Sequence, residues 1–267
     1  MATIKELSNL KGRQALITGA AGGLGRTFAE TLAELGANLI LVDLPETKLD
    51  TLADRIVKEF GVSAECIFCD LENQSERSML IQRVVKFNRE LSILVNNASL
   101  VGSSDLQGWS VNFEEQSLEN WRRATEINLT GVFDLCQGLF PIMKNAVGAN
   151  IVNIASIYGS YGPDWSLYKD TKIGNPAAYA VTKGGLIQLT RWLATTIAPF
   201  IRVNAISPGG VLRNQPDSFQ ARYKLKTPLA RMASEEDFKG ALTFLSSDLS
   251  SYVTGHILEV NGGWGVW

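Results

Sequence analysis

Apolar residues recur along the chain in two alternating rhythms. Short β-rich runs stand at residues 14–18 (QALIT), 38–43 (NLILVD), 64–69 (AECIFC), 91–95 (LSILV), 149–155 (ANIVNIA), 201–206 (IRVNAI) and 256–260 (HILEV). Longer stretches with helical spacing lie between them: one running through Leu35 and stopped by Gly36, then 46–60, a further helix before residue 91, 118–144 and 178–198. A last helix begins near Ser234, whose hydroxyl forms a capping box with Asp237 three residues on. Strand–helix alternation at this spacing predicts parallel strands joined by right-handed crossovers. The expected fold is therefore α/β: a doubly wound, parallel, seven-stranded sheet of the Rossmann type in a single domain covering 1–267. Ligands of such sheets sit beyond the carboxyl ends of the strands, so functional residues should cluster just after strands.

Composition changes this picture little. With 45% hydrophobic residues and a formal net charge of -2, the chain suits a large buried core and offers no global field toward nucleic acid or anionic membrane. No apolar run is long enough to span a membrane, and the start (MATIKELSNL) lacks the apolar stretch of a secretory signal, so the cytoplasm is expected. Cys66 and Cys69 form a C-x-x-C, but with only Cys136 and His256 as further soft ligands no metal site is expected. Residues three apart on a strand also face opposite sides. His256 reads as packed or solvent-facing.

The first strand runs into Thr18-Gly19-Ala20-Ala21-Gly22-Gly23-Leu24-Gly25 and then a helix. Glycines there let the backbone turn tightly and approach a pyrophosphate, while the helix N-terminus presents unpaired N–H groups. Asp43 closes the second strand, close to the ~20 residues at which an acid binds the adenosine ribose of a dinucleotide. A carboxylate there repels the extra phosphate of NADP, and Leu44-Pro45 supply no cation, so NAD is the expected cofactor. Asp70, after the third strand, is placed to contact adenine, with Leu71 beside it.

Tyr179 and Lys183 lie four apart on one helical face, and Ser156 directly follows the fifth strand. A free tyrosine is a poor base at neutral pH, and a nearby ammonium and a positive nicotinamide are charges that bring its pKa down. The Thr18–Gly25 loop, Asn96-Asn97-Ala98, Asn128, Ser156, Tyr179 with Lys183, and Pro208-Gly209 occur in this order over nearly the whole chain. In that pattern the chain resembles the short-chain dehydrogenase/reductase family. The resemblance implies that Tyr179 exchanges a proton with the substrate oxygen while hydride passes to or from nicotinamide. It implies that Lys183 lowers the tyrosine pKa and holds the nicotinamide ribose, that Ser156 orients the substrate oxygen, and that Asn128 holds a water linking Lys183 to solvent. Cofactor contacts are expected at Gly19, Gly23, Leu24 and Gly25, at Asn97 and Ala98 in the cleft, and at Pro208, Gly209 and Val211 beside the nicotinamide, together with Tyr179 and Lys183.

Three departures bear on the substrate. Ser99 replaces the usual glycine, and Gly210-Val211-Leu212-Arg213-Asn214 lacks the threonine commonly placed after Pro-Gly, leaving Asn214 as its substitute. The segment 157–178 between Ser156 and Tyr179 is also longer than in most relatives, and it carries Tyr158, Tyr161, Trp165, Tyr168, Lys169 and Lys172. A lid expected at about 211–226 holds Arg213, Arg222, Lys224 and Lys226 against a single acid, Asp217. Aromatic faces with cations suit a sugar or phosphosugar; the alternative is that these charges form only a solvated lid. The function expected is hydride transfer between NAD and a secondary alcohol or ketone. The alternatives are a nucleotide-sugar epimerase or dehydratase, and a non-catalytic NAD-binding regulator. The tail Gly262-Gly263-Trp264-Gly265-Val266-Trp267 exposes two indoles unless something covers them, which points to a homotetramer with the tail between subunits.

Overall fold

Within each strand, alternate residues serve opposite faces of the sheet. In the computed structural model, which describes every residue except 88, 89, 102, 103, 105 and 267, the strands are β1 (Gln14–Thr18), β2 (Asn38–Asp43), β3 (Ala64–Phe68), β4 (Ile93–Asn96), β5 (Asn150–Ile154), β6 (Arg202–Pro208) and β7 (Ile257–Val260). All pair in parallel, in the order β3-β2-β1-β4-β5-β6-β7. This is the α/β, doubly wound, seven-stranded architecture that the apolar pattern predicts.

The helices divide between the two faces. They are α1 (Ile4–Ser8), α2 (Gly23–Glu34), α3 (Leu49–Phe60), α4 (Gln74–Lys86), α5 (Leu118–Thr125), α6 (Gly131–Met143), α7 (Ala177–Thr196), α8 (Asp217–Lys226) and α9 (Lys239–Ser246). Ala15 and Ile17 of β1 join Phe28 and Leu32 of α2, Leu52 and Ile56 of α3, and Leu242 and Leu245 of α9 in one core. Leu16, between them in sequence, joins the second core with Leu80 of α4, Leu139 of α6 and Leu186 of α7. Apolar positions two apart thus serve one core and their neighbours the other. Cys66 packs on the first core and Cys69 belongs to the second, so the two thiols lie on opposite faces. Burial pushes both thiols up to about 12.

Two elements differ from expectation. The single helix expected over 118–144 is interrupted at Glu126–Thr130 by a wider π-type turn. The turn brings Asn128, 1% exposed, into bonds with a loop and a neighbouring helix. The segment 211–226 contains helix α8, whose Phe219 and Tyr223 form a third apolar cluster with Ile157 and Leu167 of the Ser–Tyr segment and with Trp264. Trp264, expected to need a partner subunit, is 7% exposed within its own chain, because its indole stacks on the Tyr223 ring at 4.8 Å. Trp267 lies outside the described residues. Ser234 and Asp237 do form the capping box, at a 3₁₀ turn leading into α9. No helix among the described residues is long and apolar enough to cross a membrane.

Candidate active site

The strand order reverses between β1 and β4, which opens a crevice beyond their carboxyl ends. A cavity of roughly 700 Å³ lies there. The loop after β1 is built for close approach: Gly19 has φ +64, and a Cβ on Gly25 would stand 1.9 Å from the Gly19 carbonyl oxygen. Only glycine fits both positions. The Asn97 side-chain amide donates to the carbonyls of Thr18 and Gly19, each at 3.0 Å. In return the Thr18 hydroxyl accepts from the backbone N–H groups of Asn97 and Ala98, at 3.0 and 3.1 Å. Gly22 precedes α2 without a side-chain cap, so the first turn of that helix offers backbone N–H groups and a positive dipole end to an anion. The cradle fits the pyrophosphate of a dinucleotide.

Asp43 ends β2 at the same crevice. Its Oδ2 accepts from Ala21 N–H at 2.7 Å and its Oδ1 from Leu44 N–H at 2.8 Å. Both oxygens retain lone pairs for a ligand hydroxyl. Asp70 lies beyond β3, its Oδ1 accepting from Glu72 N–H at 2.9 Å. Leu71, Ala98, Pro208, Gly209 and Val211 line the cavity along with Gly23 and Leu24. Behind Gly209, a Cβ would meet Asn261 Cα at 2.8 Å, so this strip of backbone lies flush against the β7 end. Asn214 is not part of the lining.

At the other end of the cavity stand Ser156, Tyr179 and Lys183. Ser156 follows β5, and Tyr179 and Lys183 project from the first turns of α7. Ser156 Oγ accepts from Tyr158 N–H at 3.2 Å, and the Ser156 hydroxyl lines the cavity with the Tyr179 phenol. Lys183 is 3% exposed, and its Nζ donates to the Ile154 carbonyl at 2.7 Å while standing 5.8 Å from the Tyr179 ring centroid. Burial brings the Lys183 ammonium down to about 7. Burial pushes the Tyr179 phenol up, against the lowering effect of Ser156. Asn128 lies outside the cavity lining. Its Oδ1 accepts from Leu100 N–H at 2.8 Å, and its Nδ2 donates to the Leu100 carbonyl and to the Thr182 hydroxyl, each at 3.1 Å. Asn128 therefore ties the loop after β4 to α7 beside Lys183.

The lid cations serve the fold more than the cavity. Arg222 donates to the carbonyls of Leu167 at 3.1 Å and Lys169 at 2.5 Å, and Lys226 pairs with Asp164. Neither lines the cavity, and nor does Lys224. Arg213 alone of the four does: it pairs with Glu235 and packs its guanidinium over Gly23 at the glycine loop. Of the two readings of the lid cations, the structure favours the one in which they serve the lid itself, since Arg222 and Lys226 hold it to the Ser–Tyr segment. Phe219, Tyr223 and Met232 line the cavity without having been singled out in the sequence. The spacing of Phe219 and Tyr223, four apart on one helix face, carried that signal.

Comparison with known proteins agrees with this geometry. A family model described as Enoyl-(Acyl carrier protein) reductase matches residues 19–265. The chain is 34% identical over 255 residues to trans-4-hydroxycyclohexanecarboxylate dehydrogenase of Sinomonas cyclohexanicum, covering 93% of this chain and 91% of that protein. A putative NAD(P)-dependent gluconate 5-dehydrogenase from Beutenbergia cavernae, solved with bound NADP at low occupancy, superposes with a TM-score of 0.86 at 31% identity, over 98% of this chain and 100% of that one. A short-chain dehydrogenase from Leptospira borgpetersenii, solved with bound NAD⁺, gives 0.84 at 32% identity, over 99% and 96%.

Proposed function

The chain belongs to the short-chain dehydrogenase/reductase family, and we propose that it is an NAD-dependent oxidoreductase acting on a secondary alcohol or ketone. The observation that carries this reading is one continuous cavity with the glycine loop and Asp43 at one end and Ser156, Tyr179 and Lys183 at the other. When bound, the nicotinamide ring supplies the hydride acceptor or donor. Tyr179 moves the proton at the substrate oxygen, giving it in the reducing direction and taking it in the oxidising one. Ser156, in the same stretch of the lining as Tyr179, holds the substrate oxygen beside it. Lys183, fixed on the Ile154 carbonyl, anchors the cofactor ribose and lends positive charge to the tyrosine as its own pKa is restored by a ligand oxygen. Asn128 keeps Lys183 and the loop of Leu100 in register.

Asp43 supports NAD over NADP, since its carboxylate takes the place where a 2′-phosphate would stand. Lys183 and Arg213 are the cations in the cavity lining among the described residues, and Arg213 packs on Gly23. Arg26 donates from Nε to the Ala21 carbonyl at 2.8 Å but lies outside the lining. The three free thiols suit a reducing compartment such as the cytoplasm. Exposed apolar side chains on α5 (Leu118, Trp121) and α7 (Val181, Trp192) support assembly into a homotetramer. The test is spectrophotometric: purified protein, NAD⁺ and a panel of cyclic and acyclic secondary alcohols should give NADH. Calorimetric binding of NADH together with silence on every alcohol and ketone would refute the enzyme reading.

A further inference from the structure

The substrate end of the cavity is walled by rings, and Lys183, held on the Ile154 carbonyl, is its cation among the described residues. Tyr158 and Tyr168 reach it from the Ser–Tyr segment, and Phe219 and Tyr223 from α8. Ring centroids of Tyr168 and Phe219 lie 5.3 Å apart and those of Phe219 and Tyr223 6.0 Å apart, so the wall is continuous. Met232 and Ile173 extend it with apolar surface. Among the described residues the cations that line the cavity are Lys183, held on the Ile154 carbonyl, and Arg213, held on Glu235 over the glycine loop. An anionic substituent placed against the rings would lose its water with no counter-charge to replace it.

One polar feature interrupts the wall. The hydroxyls of Tyr158 and Tyr168 are 2.5 Å apart. Two hydroxyls own two protons and their mutual bond uses one, so one O–H remains to donate. Asn175, 6% exposed, lines the same wall, and its buried Oδ1 has no hydrogen-bond partner. Both tyrosines are fixed: Tyr158 N–H donates to Ser156 Oγ, and Tyr168 is wedged between Trp165 and Phe219. A donor so placed in the wall of the same cavity can read a second oxygen on the substrate.

We propose that the substrate is an uncharged, ring-sized secondary alcohol or ketone with a second, neutral oxygen, which accepts a hydrogen bond from the Tyr158–Tyr168 hydroxyl pair. This inference rests on the dehydrogenase reading above and narrows it: phosphosugars and carboxylates are disfavoured where both lining cations are already engaged, and alcohols without a second oxygen forgo the tyrosine hydrogen bond.

Calorimetry on the NADH-loaded protein separates the possibilities, using 4-hydroxycyclohexanecarboxamide, 4-hydroxycyclohexanecarboxylate and cyclohexanol. The amide should bind at least about tenfold more tightly than the carboxylate, and more tightly than cyclohexanol. In the Tyr158→Phe/Tyr168→Phe variant the advantage of the amide over cyclohexanol should shrink several-fold, with the affinity for NADH unchanged. Equal or tighter binding of the carboxylate overturns the proposal, as does an advantage that survives in the double variant, or no binding of any of the three. Binding of the amide without NAD-linked turnover would keep the pocket assignment and fault the dehydrogenase reading instead.

Discussion

Lys183 and Tyr179 stand four residues apart on α7, and burial moves their proton affinities in opposite directions. Both shifts favour the neutral form. Below about pH 7 the lysine is charged in folded and unfolded chains alike, and the fold bears the full cost of burying it. Between about 7 and the ordinary 10.5 the unfolded chain holds the proton and the folded one does not. Stability therefore rises with pH in that window, at up to ~1.4 kcal/mol per unit. Urea unfolding at pH 7 and 9 should show this rise in the wild type and lose it in Lys183→Met. Above pH 10 the raised phenol reverses the trend, because the unfolded chain then sheds a proton that folded Tyr179 keeps. Asp43 decides a different question. A carboxylate ~4 Å from a phosphate costs ~4 kcal/mol at an effective dielectric of 20, before screening. NADH should therefore bind on the order of 100-fold more tightly than NADPH by fluorescence titration. Asp43→Asn, which keeps an acceptor for Ala21 N–H, should cut the ratio below about ten. Equal affinities in the wild type would remove the basis for NAD.

At the scale of elements, the lid and the Ser–Tyr segment form one body. The rings of Trp165, Tyr168, Phe219, Tyr223 and Trp264 pack in series, and the Arg222 and Lys226 contacts clamp the same two segments. Tyr223 ties this body to the sheet, its hydroxyl accepting from Gly210 N–H at 2.6 Å. Tyr223→Phe leaves that amide without its acceptor, a loss of about 1–3 kcal/mol. Amide exchange over 217–226 should accelerate accordingly while β1 and β4 keep wild-type protection; unchanged exchange would show that the lid is anchored elsewhere. The strands that frame the crevice were legible from sequence because β-sheet periodicity is local, and β1 and β2 match their predicted bounds. The break at Glu126–Thr130 was not, since both flanks keep a helical pattern and the break serves distant Leu100 and Thr182. The lid stayed open between two readings for a related reason: Arg222, Lys224 and Lys226 form a basic run, but a sequence does not tell which way a cation points.

For the whole molecule, the two cores on either side of the sheet set the geometry that brings distant motifs together. The glycine loop and the Tyr–Lys pair are far apart in sequence, yet both lie at carboxyl ends of strands or on the helix packed beside them, where the topology rule puts ligands; the family pattern singled out the pair. Assembly was less legible. Trp264 is satisfied inside its own chain and no longer argues for a partner, whereas Val181 and Trp192 on α7 are both more than half exposed. Sedimentation at micromolar concentration should give a single species of four chains, and a Val181→Glu/Trp192→Glu variant should fall to smaller ones. A wild-type monomer would contradict the assembly.

The central proposal is that Tyr179 moves the proton at the substrate oxygen while hydride passes between the adjoining substrate carbon and the nicotinamide, which would lie at the same end of the cavity. It is tested by Tyr179→Phe, assayed for kcat on an alcohol or ketone that the wild type turns over and for the dissociation constant of NADH. The expected result is a loss of kcat of at least ~100-fold, as for removal of a general acid–base, with NADH affinity within about twofold of wild type. A variant that retains kcat within about tenfold, or loses NADH binding in step with turnover, would contradict it.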